Sequence, residues 1–290
     1  MSLDTINQLI LASGCFTGAT VAGWTVDPAI IAPLALGGIL YLVGLIRLWS
    51  AAGRGHGVQV WQAVAFGFGW LAMAVALVTP LHDESRKYFT AHMIEHELVM
   101  TVAAPLLVVS RPLPVLLWAF PRVWRKGVAK GAGVFGYLIG WDILSRPLFA
   151  TVAHAAAIWV WHIPALFDAA LGNEFLHWLQ HLSFLVTALF FWWAVLDPRQ
   201  RSGAGVGLIF VTALHTSFLG ILLTLARHPI YPGQARVAEA WGADPLLDQQ
   251  MAGLIMWVPA GLLYVAIGLA LAGLWISRSA RREAARVRGA

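Results

Sequence analysis

Two pairs of histidines, each with a spacing of four residues, are the side chains in this sequence best suited to chemistry. His92 and His96 lie in YFTAHMIEHELVM, and His177 and His181 lie in EFLHWLQHLSF. Residues four apart share one face of an α-helix, about 6 Å apart along its axis, so each pair can direct two imidazoles toward one point. Imidazole is a ligand for copper, zinc and haem iron. Each pair therefore predicts one half of a metal site.

Other candidate ligands lie in further apolar stretches of the chain. His154, His162 and His215 are each surrounded by apolar residues, and Met251 and Met256 lie in QQMAGLIMWVP. Ionisable groups inside a membrane cost roughly 2 to 4 kcal/mol in the worst cases, so they are expected to have a function. Thioethers suit Cu(I). These five residues are therefore additional candidate ligands.

Polar neighbours of the two pairs could orient the ring nitrogens of bound histidines. Metal-bound histidines commonly donate their second N–H group to a carboxylate or another acceptor. Glu95, Glu97 and Gln180 are the candidates for this role. His82 and His228 lie at the ends of apolar stretches, and we expect them to be surface residues.

The elements that carry these residues are apolar runs of membrane-spanning length. The 290 residues are 59% hydrophobic and 11% charged, with a mean hydropathy of +0.73. Runs of about 20 apolar residues cross a hydrocarbon core of about 30 Å as helices. We predict an all-α, polytopic membrane bundle of seven transmembrane helices. They are placed at about 29–49, 58–80, 88–109, 147–167, 175–196, 204–226 and 250–276.

The distribution of basic residues predicts the orientation of this bundle. If the carboxyl terminus is cytoplasmic, 15 of the 19 lysines and arginines fall on the cytoplasmic side of the seven spans. Such an excess is the positive-inside signal, and it places the amino terminus outside. The net charge of +5 and the pI near 9.8 therefore reflect orientation, and we expect no nucleic-acid partner.

Composition divides the chain into three regions. Residues 1–28 form an apolar amino-terminal segment, interfacial or an extra span; residues 29–276 form the membrane domain; residues 277–290 form a basic cytoplasmic tail. Within the membrane domain, residues 112–144 are basic and interrupted by proline and glycine, which predicts helices lying on the cytoplasmic face. The single cysteine, Cys15, excludes an intramolecular disulfide framework and a cysteine-rich metal site within this chain.

The depth of the histidines predicts one cluster near the outer surface. By helical rise, the two pairs and His162 lie roughly 5 to 12 Å below that surface. If the third and fifth spans face each other, up to four imidazoles meet at one depth, with His162 as a fifth candidate. Because Met251 and Met256 enter at the same level and no thiolate is available, copper is the first choice. Zinc and haem are alternatives, and the oxidation state of the copper stays open.

Five blocks of the sequence resemble the CtaG family of membrane proteins, which assist assembly of haem-copper cytochrome c oxidase. The blocks are HMIEHELVMTVAAPLLVVSRPL, HAAAIWVWHIPALFDAAL, LHWLQHLSFLVTALFFWW, LHTSFLGILLT and DQQMAGLIMWVPAG. The similarity covers roughly residues 29–276, so Cys15 lies outside it. It implies a multi-pass protein of the bacterial inner membrane that helps supply copper to the oxidase and binds the metal on the periplasmic side. The implied metal-handling set is His92, His96, His162, His177 and His181.

The resemblance also implies partners and a mode of action. We expect an oxidase subunit, a periplasmic copper donor and the lipid bilayer as partners, and no enzymatic turnover. Two other functions would use the deeper residues His154 and His215. A bis-histidine membrane haem protein would use them as axial ligands and show a strong visible absorbance band, whereas a copper permease would use them as a relay and support uptake into sealed vesicles. A di-iron membrane hydroxylase is disfavoured because the sequence has no adjacent histidine pairs.

Overall fold

The computed structural model describes residues 20–21, 23–138, 140–196 and 204–288. Cys15 and most of the predicted 1–28 segment lie outside the described residues. Those that are described begin with a short antiparallel pair of strands, Thr20–Val21 (β1) and Trp24–Thr25 (β2). Almost all of the remaining described chain is helical, which confirms the prediction of an all-α protein.

Six helices in the described chain are long and apolar enough to cross a membrane. They are α1 (Pro28–Ala52), α2 (Val60–Val78), the composite helix Phe89–Ser110, α11 (Glu174–Leu196), α12 (Ala204–Thr224) and α14 (Pro245–Arg288). A seventh span results if a bent pair, α9 (Pro147–Trp161) and α10 (Pro164–Gly172), counts as one crossing. The protein is therefore a multi-pass membrane protein, with six or seven spans among the described residues.

The predicted fourth span is not one straight helix. Helices α9 and α10 meet at an angle of 75°. Proline disfavours helical geometry in the residue before it and cannot donate a helical hydrogen bond. Ile163, which precedes Pro164, accordingly has extended backbone angles of −65° and 125°. The break leaves His162 at the carboxyl-terminal cap of α9.

The third span contains a widened turn that depends on a proline. It consists of α4 (Phe89–Glu97), a π-helical segment (Leu98–Ala103) and α5 (Ala104–Ser110). The N–H of Ala104 bonds to Val99 O, five residues back. In that register the carbonyl of Met100 would accept from residue 105, which is a proline and has no N–H. The buried indole of Trp192 on α11 donates to Met100 O instead, at 2.8 Å, and so joins the third and fifth spans.

Close approach of two other spans depends on glycine. A Cβ atom at Gly220 of α12 would lie 2.8 Å from Gly253 O of α14, and one at Gly253 would lie 2.6 Å from Gly220 O. No side chain fits at such distances, so only glycine allows these backbones to touch. The π-helical segment and α5 of the third span pack between α2 and α11, whereas α4 packs mainly against α14 and α3.

Several short helices connect these spans. They are α3 (Pro80–Ser85), α6 (Pro112–Ala119), α7 (Arg122–Leu138), α8 (Trp141–Leu144) and α13 (Pro232–Ala240). Most of the described residues in the region predicted as interfacial, 112–144, belong to the helices α6, α7 and α8. Its first helix, α6, packs against α1, where a Cβ at Gly44 would collide with Val115 O. In contrast, α7 has no buried residue.

Candidate metal centre

The two histidine pairs face each other at one end of the bundle. The rings of His92 and His96 on α4 have centroids 4.2 Å apart, and those of His177 and His181 on α11 are 4.4 Å apart. Between the helices, the ring centroids of His96 and His181 lie 4.8 Å apart and those of His92 and His177 lie 5.7 Å apart. We call these four imidazoles the histidine cluster, and the end of the bundle that holds them the cluster end.

Three members of the cluster are arranged so that they could hold a metal ion. One ring nitrogen each of His92, His96 and His181 lies within 4.8 Å of the other two. His92 and His96 are 1% and 2% exposed, and in the described chain His92 Nε2 and both ring nitrogens of His96 have no hydrogen-bond partner. Buried polar atoms in proteins are normally paired, so unpaired ones call for an explanation such as an unseen ion.

Backbone contacts set the protonation of two candidate ligands. A carbonyl oxygen only accepts hydrogen bonds. His92 Nδ1–H therefore donates to Ser85 O at 3.3 Å, and His162 Nδ1–H donates to Ile158 O at 2.7 Å. In each ring the lone pair is left on Nε2, which has no partner within the described residues. Both rings are thus held in the form that can bind a metal through Nε2.

His162 lies beside the cluster rather than within its triad. Its ring centroid is 6.5 Å from that of Phe167 and 6.4 Å from that of Phe184. The same two phenyl rings contact His92 and His96 respectively, at 5.2 and 4.7 Å. Because of the break before Pro164, α9 ends at Trp161 and His162 is its carboxyl-terminal cap, which is only 6% exposed.

The expectation that His82 is a surface residue is wrong. His82 is only 4% exposed, and its Nδ1–H donates to the buried carboxylate of Glu95 at 2.7 Å. The ring of His82 lies 6.1 Å from that of His177. The reason is a chain reversal: Thr79 accepts a hydrogen bond from Leu81 N and begins α3, which folds back against α4. The Thr-Pro pair before His82 is a helix-start signal that could have revealed this.

Glu95 connects His82 to the cluster. Its Oε1 lies 3.7 Å from His181 Nδ1, and the residue is fully buried. On the other side, the Arg86 guanidinium lies 3.5 Å from His82 Nε2. Since arginine only donates, this contact is consistent with the proton of His82 lying on Nδ1, toward Glu95. Glu95 is therefore placed to orient His82 and to supply a negative charge at the edge of the cluster.

Gln180 and Glu97 are the other two polar residues predicted to orient the histidines. Gln180 is fully buried, and neither its amide oxygen nor its amide nitrogen has a partner in the described chain. The carboxylate of Glu97, next to the π-helical segment, has one buried oxygen without a partner among the described residues. Its neighbour Thr101 donates to the Glu97 backbone carbonyl at 2.7 Å.

The deeper candidates are not part of the cluster. His154 Nδ1 lies 3.1 Å from the Thr187 hydroxyl, and Trp159 donates to His215 Nδ1 at 3.4 Å. Met256 is 4% exposed and packs in the apolar core, whereas Met251 is 41% exposed. A spacing of five residues turns two side chains about 140° apart on a helix. These methionines therefore point to different sides of α14. His228 is exposed, as expected.

An aromatic lid covers the histidine cluster at the cluster end of the bundle. We use this name for Phe89, Phe167 and Tyr231, whose ring centroids lie 4.7 to 5.0 Å apart. Phe167 rests on His92, and the Tyr231 hydroxyl donates to His162 O at 3.0 Å. Burial raises the pKa of Tyr231, so the hydroxyl stays protonated and available as a donor.

Two aspartates fix the chain around this lid. Asp248, at the start of α14, accepts from the backbone N–H groups of Phe89 and Thr90 at 2.6 and 3.0 Å. It thereby caps α4, the helix of the first histidine pair. Asp168 accepts from Gly233 N at 2.8 Å, and a Cβ at Gly233 would lie 2.6 Å from that carboxylate. The two aspartates therefore fix the start of α4 and the start of α13 next to the aromatic lid.

A cavity of about 110 Å³ reaches the cluster from the side of the bundle. We call it the side groove. It lies between α11 on one side and α1, α2, α3 and the π-helical segment on the other, with three imidazoles and otherwise apolar side chains in its walls. Its lining residues are Ile30, Met73, Leu77, His82, Val99, His177, Trp178, His181, Leu182 and Leu185.

Comparison with known proteins identifies relatives of this chain and the family to which it belongs. Two curated relatives, uncharacterized proteins of Mycobacterium bovis and Mycobacterium tuberculosis, are each 28% identical over 280 residues, covering 91% of this chain. The chain spans only 40% of the length of each relative. No solved structure matches. The sequence profile of the cytochrome c oxidase caa3 assembly factors matches residues 39–278, which include the whole histidine cluster. The chain therefore belongs to the cytochrome c oxidase caa3 assembly factor family.

Proposed function

We propose that this protein captures copper at the periplasmic face of the bacterial inner membrane and delivers it to cytochrome c oxidase. It acts by ligand exchange, without enzymatic turnover. The observation that carries the proposal is the buried triad of His92, His96 and His181, whose ring nitrogens lie within 4.8 Å of one another. Membership of an oxidase assembly factor family supports the oxidase as the recipient.

Charge balance favours Cu(I) over Cu(II) or zinc. Neutral imidazoles carry no charge, and Glu95 adds one buried negative charge beside His181. Burying an ion is costly unless an opposite charge compensates it. A monovalent ion is balanced by this single carboxylate, whereas a divalent ion leaves an excess positive charge. Arg86, which is only partly buried, lies on the far side of His82 from the cluster.

The charge distribution supports the periplasmic placement. If the bundle is oriented with its carboxyl terminus in the cytoplasm, the basic segment 111–130 lies inside and the cluster end lies outside. Copper is handled more freely outside a reducing cytosol, and an oxidase subunit can receive it there. A periplasmic copper donor is the corresponding source.

A bis-histidine haem protein is less well supported. Its axial ligands would be His154 and His215, but the ring of His154 stacks on Phe191 at 5.4 Å and Trp159 donates to His215. Both rings are thus engaged by neighbouring aromatic side chains. A haem would have to displace these contacts. In the cluster, His92 Nε2 and both nitrogens of His96 have no partner in the described chain, and an ion would displace only the contact between His181 Nε2 and His177 Nε2, at 3.1 Å.

The test is metal analysis of the detergent-purified protein together with its absorption spectrum. After loading with Cu(I), the wild type should retain copper, and the double variant His92→Ala, His181→Ala should lose it. His228→Ala is the matched control, because His228 is exposed and remote from the cluster. Size-exclusion chromatography verifies that the variants stay folded. Unchanged copper stoichiometry in the double variant, or a haem band in the wild type, would defeat the proposal.

A further inference from the structure

The cluster is closed toward the outer aqueous phase. Phe167 of the aromatic lid contacts His92, Tyr231 is bonded to His162 O, and Asp248 and Asp168 hold the surrounding backbone. His92 and His96 are accordingly 1% and 2% exposed. An ion that entered from this side would have to displace a packed aromatic layer.

The side groove offers a different approach. His177, His181 and His82 line it, so open space touches the cluster on the flank of the bundle. Leu182, one turn from Trp178 on α11, is 57% exposed at the edge of the groove. In a membrane-spanning helix such a flank faces lipid or another transmembrane helix.

The lining of the groove restricts what can pass through it. Apart from the imidazoles, its named walls are aliphatic side chains, Met73 and Trp178. A hydrated cation would lose its water there without compensation, at a cost of several kcal/mol or more. Copper can leave by this route only if a neutral, soft ligand enters the groove and binds it. Among protein side chains, the thioether of methionine is apolar, neutral, unbranched and a ligand for Cu(I).

The size of the groove fits such a side chain. Its volume is about 110 Å³, several times the roughly 30 Å³ that one water molecule occupies in the liquid. The groove therefore has room for one unbranched side chain.

We propose that the side groove admits a methionine side chain from a transmembrane helix of the protein that exchanges copper with the cluster, so that the metal moves sideways within the membrane. This inference rests on the proposed function and specifies its partner. In the exchange, a copper–imidazole bond breaks as a copper–thioether bond forms, each through a lone pair of the ligand. No electron or proton is transferred, and copper stays Cu(I).

The experiment uses the Cu(I)-loaded protein in lipid nanodiscs and a synthetic transmembrane peptide. The peptide is a leucine-rich helix with one methionine at the depth of the groove, and the control peptide carries norleucine, which has the same shape without sulfur. Copper lost from the protein is followed over time. We expect the methionine peptide to remove copper at least about tenfold faster than the norleucine peptide, a difference of about 1.4 kcal/mol in activation free energy.

A pair of matched variants tests the route. Leu182→Trp fills the edge of the groove, and Leu262→Trp makes the same change on the remote helix α14, where Leu262 is 67% exposed. Leu182→Trp should remove the advantage of the methionine peptide while leaving the copper stoichiometry unchanged, and Leu262→Trp should alter neither.

The outcomes separate the two proposals. If wild-type protein binds copper but both peptides remove it equally, or if Leu182→Trp transfers as fast as wild type, the groove is not the route and the proposed function still stands. If the water-soluble chelator bathocuproine disulfonate removes copper faster than the methionine peptide, the outer surface is the route and the inference is overturned. If wild-type protein binds no copper, both proposals fail.

Discussion

Replacing Glu95 with glutamine should weaken copper binding and leave the metal-free protein almost unchanged. Glu95 is fully buried, with Oε1 2.7 Å from His82 Nδ1 and 3.7 Å from His181 Nδ1. Glutamine has nearly the same shape and keeps a carbonyl oxygen that can accept from His82. The substitution therefore removes one negative charge and little else.

The expected loss follows from the geometry. Copper bound to the ring nitrogen of His181 that points away from Glu95 would lie about 7 Å from the carboxylate. With an effective dielectric constant of about 20, two unit charges at about 7 Å interact by about 2.4 kcal/mol. That is a loss of about 50-fold in affinity. It lies within the 10- to 100-fold range typical of residues that support metal ligands.

Two measurements on the purified protein test this prediction. Competition with a chromophoric Cu(I) chelator gives the affinity, and thermal unfolding of the metal-free form gives the stability. Glu239→Gln, at an exposed position of α13, is the control for removing one negative charge. For Glu95→Gln we expect the stability of the metal-free protein to change by less than about 1 kcal/mol, because the hydrogen bond to His82 is retained.

Either of two results would refute the reasoning. An affinity within about twofold of wild type would show that the charge of Glu95 does not act on the metal. A loss of about 3 to 5 kcal/mol in the stability of the metal-free protein would show that Glu95 mainly holds a charged partner in a buried ion pair.

Three further predictions concern the scaffold. Trp192→Phe should lower the free energy of unfolding by about 1 to 3 kcal/mol, because Met100 O loses its donor; chemical denaturation in detergent measures this, and Trp193→Phe, which keeps that bond, should cost less. Asp248→Ala should destabilise the start of α4 by about 0.5 to 2 kcal/mol, seen as faster hydrogen exchange of the amides that Asp248 caps. In a chain without its native cysteine, a cysteine replacing Lys130 should react with a membrane-impermeant thiol reagent only after the inner face is opened, and reaction in intact cells would contradict the proposed orientation.

Local signals explain why part of the site could be predicted from sequence. A four-residue spacing places two imidazoles on one helix face whatever surrounds that helix, so His92 with His96 and His177 with His181 were identified as pairs. The helix break caused by Pro164 is also a local effect. The predicted span 147–167 nevertheless continued past this residue as one helix, which is wrong. The positions of Met251 and Met256 on opposite sides of α14 follow from their spacing in the same way.

Other features depend on contacts between distant parts of the chain. The sequence places His82 at the end of a span, but its burial depends on α3 folding back onto α4 and on the carboxylate of Glu95. The side groove is formed by residues from five separate helical segments, so no single stretch of sequence predicts it.

The sequence by itself determined that this is an all-α membrane protein, because apolar length and helical spacing are properties of each helix alone. It also determined the family and the two histidine pairs. Only the tertiary structure decided that the pairs meet, since the rotation of a helix about its axis depends on its neighbours. Here the Trp192 bond to Met100 O joins the third and fifth spans, and the Asp248 cap holds the start of the third. Together these contacts turn both histidine faces toward a shared interior.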